Sequence, residues 1–190
     1  MEQSLKGIAK TAGRSREKET KKKPEGETYS AAVITIRDKG TKEDHSDERG
    51  RAAVQMLQEE GYEIAETMII SDEPDILKRE LIRLADQCCV DLIITSGGTG
   101  FAMRDRTPEI TMEVADRNAP GIAEYIRMRS MEITDKAMLG RGVSAIRKRT
   151  LIINLPGSTK AVRECLYFIF GALGQGLKTL RESAPEYTEK

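Results

Sequence analysis

The chain has 190 residues, of which 38% are hydrophobic and 33% charged, and its 31 basic and 31 acidic side chains cancel. That length suits one compact domain with a tail, and the charge balance excludes a chain-wide electrostatic footprint for nucleic acid. No apolar run approaches the ~18 residues of a membrane span, no apolar segment signals secretion, and three cysteines without CxxC spacing, Cys88, Cys89 and Cys165, argue against a disulfide framework or zinc site. A cytoplasmic α/β or α+β protein is expected.

Residues 1–28 stand apart, with eight basic and five acidic side chains around only five scattered apolar residues. Such a stretch buries too little apolar surface to offset the entropy of ordering it. It reads as a flexible charged extension, solvated or touching an anionic partner, ahead of a domain over 29–183 and a short tail over 184–190. The domain opens with Ser30–Ile36, a β-branched apolar run typical of a buried strand. Asp47–Glu60 reads as a helix stopped by Gly61, and Tyr62–Ile70 as a second strand. Glu73–Cys88 places Ile76, Leu77, Leu81, Leu84 and Cys88 on one helical stripe, with Pro74 in its first turn. Val90–Thr95 is a third strand. Thr107–Arg117 is expected to be a helix capped by Thr107 with Pro108 at its first position, and Gly121–Arg129 a shorter one. Leu151–Asn154 is a fourth strand. From Val162 to Leu180 apolar residues recur at 3.6-residue spacing, interrupted by Gly171, Gly174 and Gly176, which reads as either close helix packing or fraying. Strands alternating with helices imply parallel βαβ units and a three-layer α/β/α fold with a mostly parallel sheet.

Ligands of open α/β sheets sit beyond the carboxyl ends of the strands, and three such ends are unusual here. Thr95-Ser96-Gly97-Gly98-Thr99-Gly100 leaves backbone N–H groups free to surround an anion, phosphate being the natural guest, yet it matches neither the dinucleotide fingerprint nor the Walker loop. Asn154-Leu155-Pro156-Gly157-Ser158-Thr159-Lys160 turns into the long last helix, where Ser158 or Thr159 can cap and the dipole favours an anion. Taken singly, each of these turns could be structural punctuation. Asp72 and Asp105 fall on the same edge. Two carboxylates beside a phosphate site repel the ligand unless a cation intervenes, and Mg²⁺ binds through one or two carboxylates plus substrate phosphates. Together these features favour phosphoryl or nucleotidyl transfer. Asp38 and Asp47 lie on this edge too and could orient hydroxyl or amino groups; His45, the single histidine, has no nucleophile motif near it.

The ordered set Ala32-Val33-Ile34-Thr35-Ile36-Arg37-Asp38, Asp47-Glu48-Arg49-Gly50, Asp72-Glu73, the glycine turn with Arg104-Asp105-Arg106-Thr107-Pro108, Pro120-Gly121, and Asn154-Leu155-Pro156-Gly157-Ser158 resembles the molybdopterin adenylyltransferase family (MogA/MoaB-like proteins) from about residue 30 to 181. The resemblance implies a three-layer α/β/α fold in homotrimers or higher oligomers. It implies binding of molybdopterin, transfer of AMP from Mg-ATP to its terminal phosphate with release of pyrophosphate, and passage of the product to a molybdate-inserting enzyme. By position, Asp72 and Asp105 match the family's two important aspartates, Gly97, Gly98, Thr99 and Gly100 its phosphate and nucleotide loop, and Pro156, Gly157 and Ser158 its second binding loop. Ser144 aligns with a further substrate-side position. Phe101 stands where relatives often carry Pro or Leu, Arg37 replaces a common Ser, and Arg49 stands where a small hydroxyl residue is usual. An arginine there could hold a phosphate. The rival expectations are a molybdopterin binder of the same fold without catalysis, and a scaffold module using the fold for protein contacts.

Overall fold

A computed structural model describes residues 28–37 and 47–183. The charged extension up to residue 27, the tail over 184–190, Asp38 and His45 lie outside the described residues. Six strands form one sheet: β1 (Tyr29–Arg37), β2 (Tyr62–Ser71), β3 (Leu92–Ser96), β4 (Arg117–Asn118), β5 (Ser144–Arg147) and β6 (Thr150–Leu155). Their order is β2-β1-β3-β6-β5-β4, with β2, β1, β3 and β6 parallel and β5 antiparallel to both neighbours. Helices α1 (Glu48–Glu59), α2 (Pro74–Asp86), α3 (Thr107–Val114), α4 (Pro120–Met131) and α5 (Thr159–Glu182), with a 3-10 turn at Asp135–Leu139, complete the chain.

The period-two pleat divides each buried strand between two cores. Val33, Leu92, Ile94, Leu151 and Ile153 face α1, α4 and α5, whereas Ile34, Ile36, Ile93 and Ile152 face α2 and α3. Both faces are therefore covered, as parallel sheets require, and the three-layer α/β/α expectation holds. The expected strands and helices are present, with ends moved by a few residues. Three departures are physical. Arg106, not Thr107, occupies the N-cap of α3; Thr107 is helical and its hydroxyl donates to Gly97 O at 3.0 Å. The helix stops at Val114, so Arg117 belongs to β4. The last helix runs unbroken through Gly171, Gly174 and Gly176, and a Cβ at any of them would meet nothing within 4 Å; neither close packing within the chain nor fraying accounts for these glycines.

The amino edge of the sheet is fastened by Asp91, whose side chain is 4% exposed. Arg181 near the end of α5 grips both of its oxygens at 2.7 and 2.6 Å, and Ser30 donates its N–H and hydroxyl at 2.7 and 2.8 Å. Burial pushes the Asp91 carboxyl up, but Arg181 and Ser30 outweigh it and hold it below the ordinary carboxylate value. A lowered carboxyl stabilises the fold above its unfolded pKa of about 4 and loses that contribution as pH falls below it. Arg181→Ala leaves a buried carboxylate without its cation and is expected to cost about 3 kcal/mol at neutral pH. The gap between variant and wild type should narrow on acidification below about pH 4, as urea titrations at pH 7 and pH 3 would show.

Candidate active site

β1, β2, β3 and β6 all end on the same edge, at Arg37, Ser71, Ser96 and Leu155. The chain leaving β1 reaches α1 on one face, while that leaving β3 reaches α3 on the other, so β1 and β3 part at a topological switch point, where such sheets open a crevice. Gly97, Gly98, Thr99 and Gly100 follow β3, and Pro156, Gly157 and Ser158 follow β6. These two turns touch. Gly97 N–H donates to Leu155 O at 3.2 Å, the Ser96 hydroxyl donates to Pro156 O at 2.9 Å, and a Cβ on Gly157 would lie 3.7 Å from Gly97 Cα.

Gly97 and Gly98 have φ of +107° and +65°, conformations that L side chains rarely adopt. Space demands glycine as well: a Cβ at Gly97 would sit 2.7 Å from Ile36 O, and one at Gly98 2.2 Å from Thr107 Oγ1. The carbonyl oxygens of this region are taken by protein donors. Gly97 O accepts from the Thr107 hydroxyl, Gly98 O from Thr107 N–H, Thr99 O from Arg141 N–H, Gly100 O from Arg141 Nε, and Gly157 O from Arg49 Nη1. By contrast, the N–H groups of Gly98, Thr99, Gly100 and Gly157 donate to no acceptor among the described residues. Turning the oxygens inward and leaving the amides unpaired builds a concavity of partial positive charge, the arrangement that binds anions. Ser158 caps α5 by accepting from Ala161 N–H at 3.3 Å, adding a helix N-terminus to the same side.

Asp105 belongs to this cluster. Its Oδ2 accepts from Ala102 N–H at 2.9 Å and lies 2.8 Å from where a Cβ on Gly100 would stand. Asp72 follows β2, with its N–H donating to Arg37 O at 3.0 Å, and its carboxylate accepts no hydrogen bond among the described residues. Asp72 follows a strand that stands two strands from β3, roughly 10 Å at ordinary strand spacing. Among the described residues no group of three or more His, Cys, Asp or Glu side chains could hold a metal by itself. The donor set nevertheless fits Mg²⁺, since single carboxylate oxygens completed by substrate phosphates are its usual ligands.

Asp47 and Ser144 are placed differently. Asp47 is the N-cap of α1: Oδ1 accepts from Gly50 N–H at 3.1 Å and Oδ2 from the Thr35 hydroxyl at 2.8 Å. Ser144, fully buried, donates to Ala119 O at 2.6 Å and accepts from Ala123 N–H at 3.1 Å. Both polar groups are therefore engaged in holding elements together, and a ligand would have to share them. A cavity of about 510 Å³ lies between α1 and the edge strand β2, bounded by Asp47, Arg51 and Met68 among others. It meets the site only at Asp47; the two turns do not line it.

Three further residues shape the site, of which Arg49 and Asn154 stood in the sequence motifs and Arg141 was not assigned a role. Arg141 holds the glycine turn through Gly100 O at 2.7 Å and also reaches Asp105 O and Glu109. Asn154 is buried, its amide donating to the Thr95 and Thr111 hydroxyls at 3.0 and 2.9 Å while its Oδ1 accepts from Val143 N–H at 3.3 Å. Arg49 spans the turns. Arg49 was signalled as a departure from the family motif, and Asn154 by ending an apolar strand, where asparagine is depleted.

Residues 32–175 match the family described as a probable molybdopterin binding domain. The chain belongs to this family. It is 38% identical over 149 residues to a protein of Helicobacter pylori (strain 26695) named molybdopterin adenylyltransferase, covering 77% of this chain and 85% of that one. It is 44% identical over 109 residues to the molybdopterin adenylyltransferase of Escherichia coli K12, covering 57% and 56%. Among solved structures, the molybdopterin biosynthesis enzyme MoaB of Thermus thermophilus superposes with a TM-score of 0.76 at 40% identity over 82% of this chain and 98% of that one. The family resemblance drawn from the motifs is thus borne out. No helix among the described residues is long and apolar enough to cross a membrane.

Proposed function

We propose that this chain is a molybdopterin adenylyltransferase of molybdenum cofactor biosynthesis, joining AMP from ATP to the terminal phosphate of molybdopterin. The observation that carries this reading is the polarity of the paired turns: their oxygens are occupied, whereas the N–H groups of Gly98, Thr99, Gly100 and Gly157 are not, with the Asp105 carboxylate beside Gly100. Relatives bearing that enzyme name at 38% and 44% identity support it.

In this reading residues 29–183 form the catalytic domain, and a phosphate oxygen of molybdopterin attacks the α-phosphorus of ATP in line. The bond from that phosphorus to the bridging oxygen of the β-phosphate breaks, and pyrophosphate leaves. The chain contributes chiefly position and charge. Amides of Gly98, Thr99 and Gly100 donate to the oxygens that gain charge in the transition state, and Pro156, Gly157 and Ser158 cradle the second phosphate. Asp72 and Asp105 would hold Mg²⁺, which when bound neutralises phosphate charge. Asp38 is proposed on the pterin side from its place in the family motif alone. The adenylylated product would pass to a molybdate-inserting enzyme in the cytoplasm. Exposed Tyr125, Met128 and Met131 on α4, Ile133 after it, and Met138 and Leu139 in the 3-10 turn support an interface between subunits, which the family resemblance makes that of a homotrimer.

A binder without catalysis has less use for Asp72, whose carboxylate makes no contact that the fold needs. Incubation with ATP, Mg²⁺ and molybdopterin should release one pyrophosphate per adenylylated pterin. Pterin binding without pyrophosphate release would leave the non-catalytic reading standing and defeat this one.

A further inference from the structure

We infer that Arg49 is a positioning residue that fixes the separation of the two turns and completes their phosphate site with positive charge; this rests on the reading that the turns bind a polyphosphate. Arg49 is the second residue of α1. The start of that helix is anchored by Asp47, which caps Gly50 and is itself held by the Thr35 hydroxyl on β1. From this fixed base the guanidinium reaches three segments. Nη1 donates to Gly157 O at 3.2 Å and Nη2 to Ile36 O at 3.5 Å, and a Cβ built on either Gly97 or Gly157 would lie 3.4 Å from Nη1. The same nitrogen therefore occupies the crossing of both turns, and both glycines leave it room.

A purely structural strut would use its donors on the protein. Arg49 places two of its five N–H groups on carbonyls, and the other three donate to no acceptor among the described residues. A rigid planar fork bonded to carbonyls on one side retains donors for a phosphate on the other, a task a flexible ammonium performs less well. Its charge also counters Asp72 and Asp105, which would otherwise repel the same ligand. Loss of the fork should therefore loosen the turns and weaken the anion site together.

The test uses the full chain with Arg49→Met, which keeps bulk, and Arg49→Lys, which keeps charge. Inorganic pyrophosphate is titrated by calorimetry. Hydrogen exchange is followed at Gly97 N–H, bonded to Leu155 O at the junction, and at β3 amides as an internal reference; kcat and KM for ATP are measured alongside. Arg49→Met should bind pyrophosphate roughly 10- to 100-fold more weakly. It should exchange Gly97 about 10-fold faster with β3 unchanged, and lower kcat more than it raises KM. Arg49→Lys should recover pyrophosphate affinity in part while Gly97 stays fast. Unchanged affinity in Arg49→Met overturns the inference. So does faster exchange through β3 as well as Gly97 in both variants, which would make Arg49 a general stability residue, and so does wild-type protein that fails to bind pyrophosphate. Wild-type protein that binds pyrophosphate but transfers no AMP defeats the proposed function and leaves Arg49 to be judged by affinity and exchange.

Discussion

Asp105→Ala is expected to fold, to bind molybdopterin nearly as well as wild type, and to transfer AMP about 10³-fold more slowly or worse. The structural cost is small, because the Asp105 carboxylate makes one hydrogen bond at an exposed turn, to Ala102 N–H; losing it removes on the order of 1 kcal/mol. The chemical cost is large, because this carboxylate lies beside Gly100, one of the residues with an unpaired amide, and would carry the cation that screens the phosphates from one another. Asp72→Asn should behave likewise with still less effect on thermal stability, since its carboxylate supports no other described group. Pyrophosphate release and a melting curve on the same preparations separate the two costs. Unchanged turnover in Asp105→Ala would remove that residue from the mechanism.

The second large effect belongs to Gly97→Ala. Its φ of +107° strains any L residue, and the new methyl would sit 2.7 Å from Ile36 O, a backbone atom in a central strand that cannot swing aside. Strain and clash together should cost about 2–4 kcal/mol, or roughly 5–15 °C in melting temperature at this size. Any relief must move the glycine turn away from β1, which disturbs its close contacts with Gly157 and Arg49. Transfer should therefore fall at least ~100-fold even where the protein remains folded, because a displacement of about 1 Å suffices for that loss. Gly171→Ala is the matched control. With open space around its Cβ in mid-helix, it should leave activity alone and raise stability by up to about 1 kcal/mol. A Gly97→Ala protein with wild-type melting and turnover would show that the turn tolerates a side chain, and with it that the close approach of the two turns is unimportant.

Much of the fold was legible because its signals are local. β-Branched runs such as Val33–Ile36 and Leu92–Thr95 announce buried strands, and the stripe from Val162 to Leu180 announces a long helix. β5 and β4 were not legible: Ser144–Arg147 is four residues with two arginines nearby, Arg117–Asn118 is two exposed polar residues, and both exist as strands only by pairing with or through β6. Thr107 illustrates the same limit. Its type and place suit a cap, yet its hydroxyl donates to Gly97 O and closes the glycine turn from inside the helix.

The sequence alone determined that two glycine-bearing turns and their acidic neighbours would follow parallel strands, because glycine and β-branched patterns dictate backbone conformation over a few residues. It also carried the family, through motifs kept in order. Only the tertiary structure decided which polar groups were free. Asp47 and Ser144 proved to be spent on a helix cap and a strand-to-helix tie, whereas Arg49, Arg141 and Asn154 proved to bind partners 41 to 108 residues away in the chain, such as Gly100, Thr111 and Gly157. A hydrogen bond is satisfied by whatever lies within about 3 Å in space, and sequence distance carries no information about that.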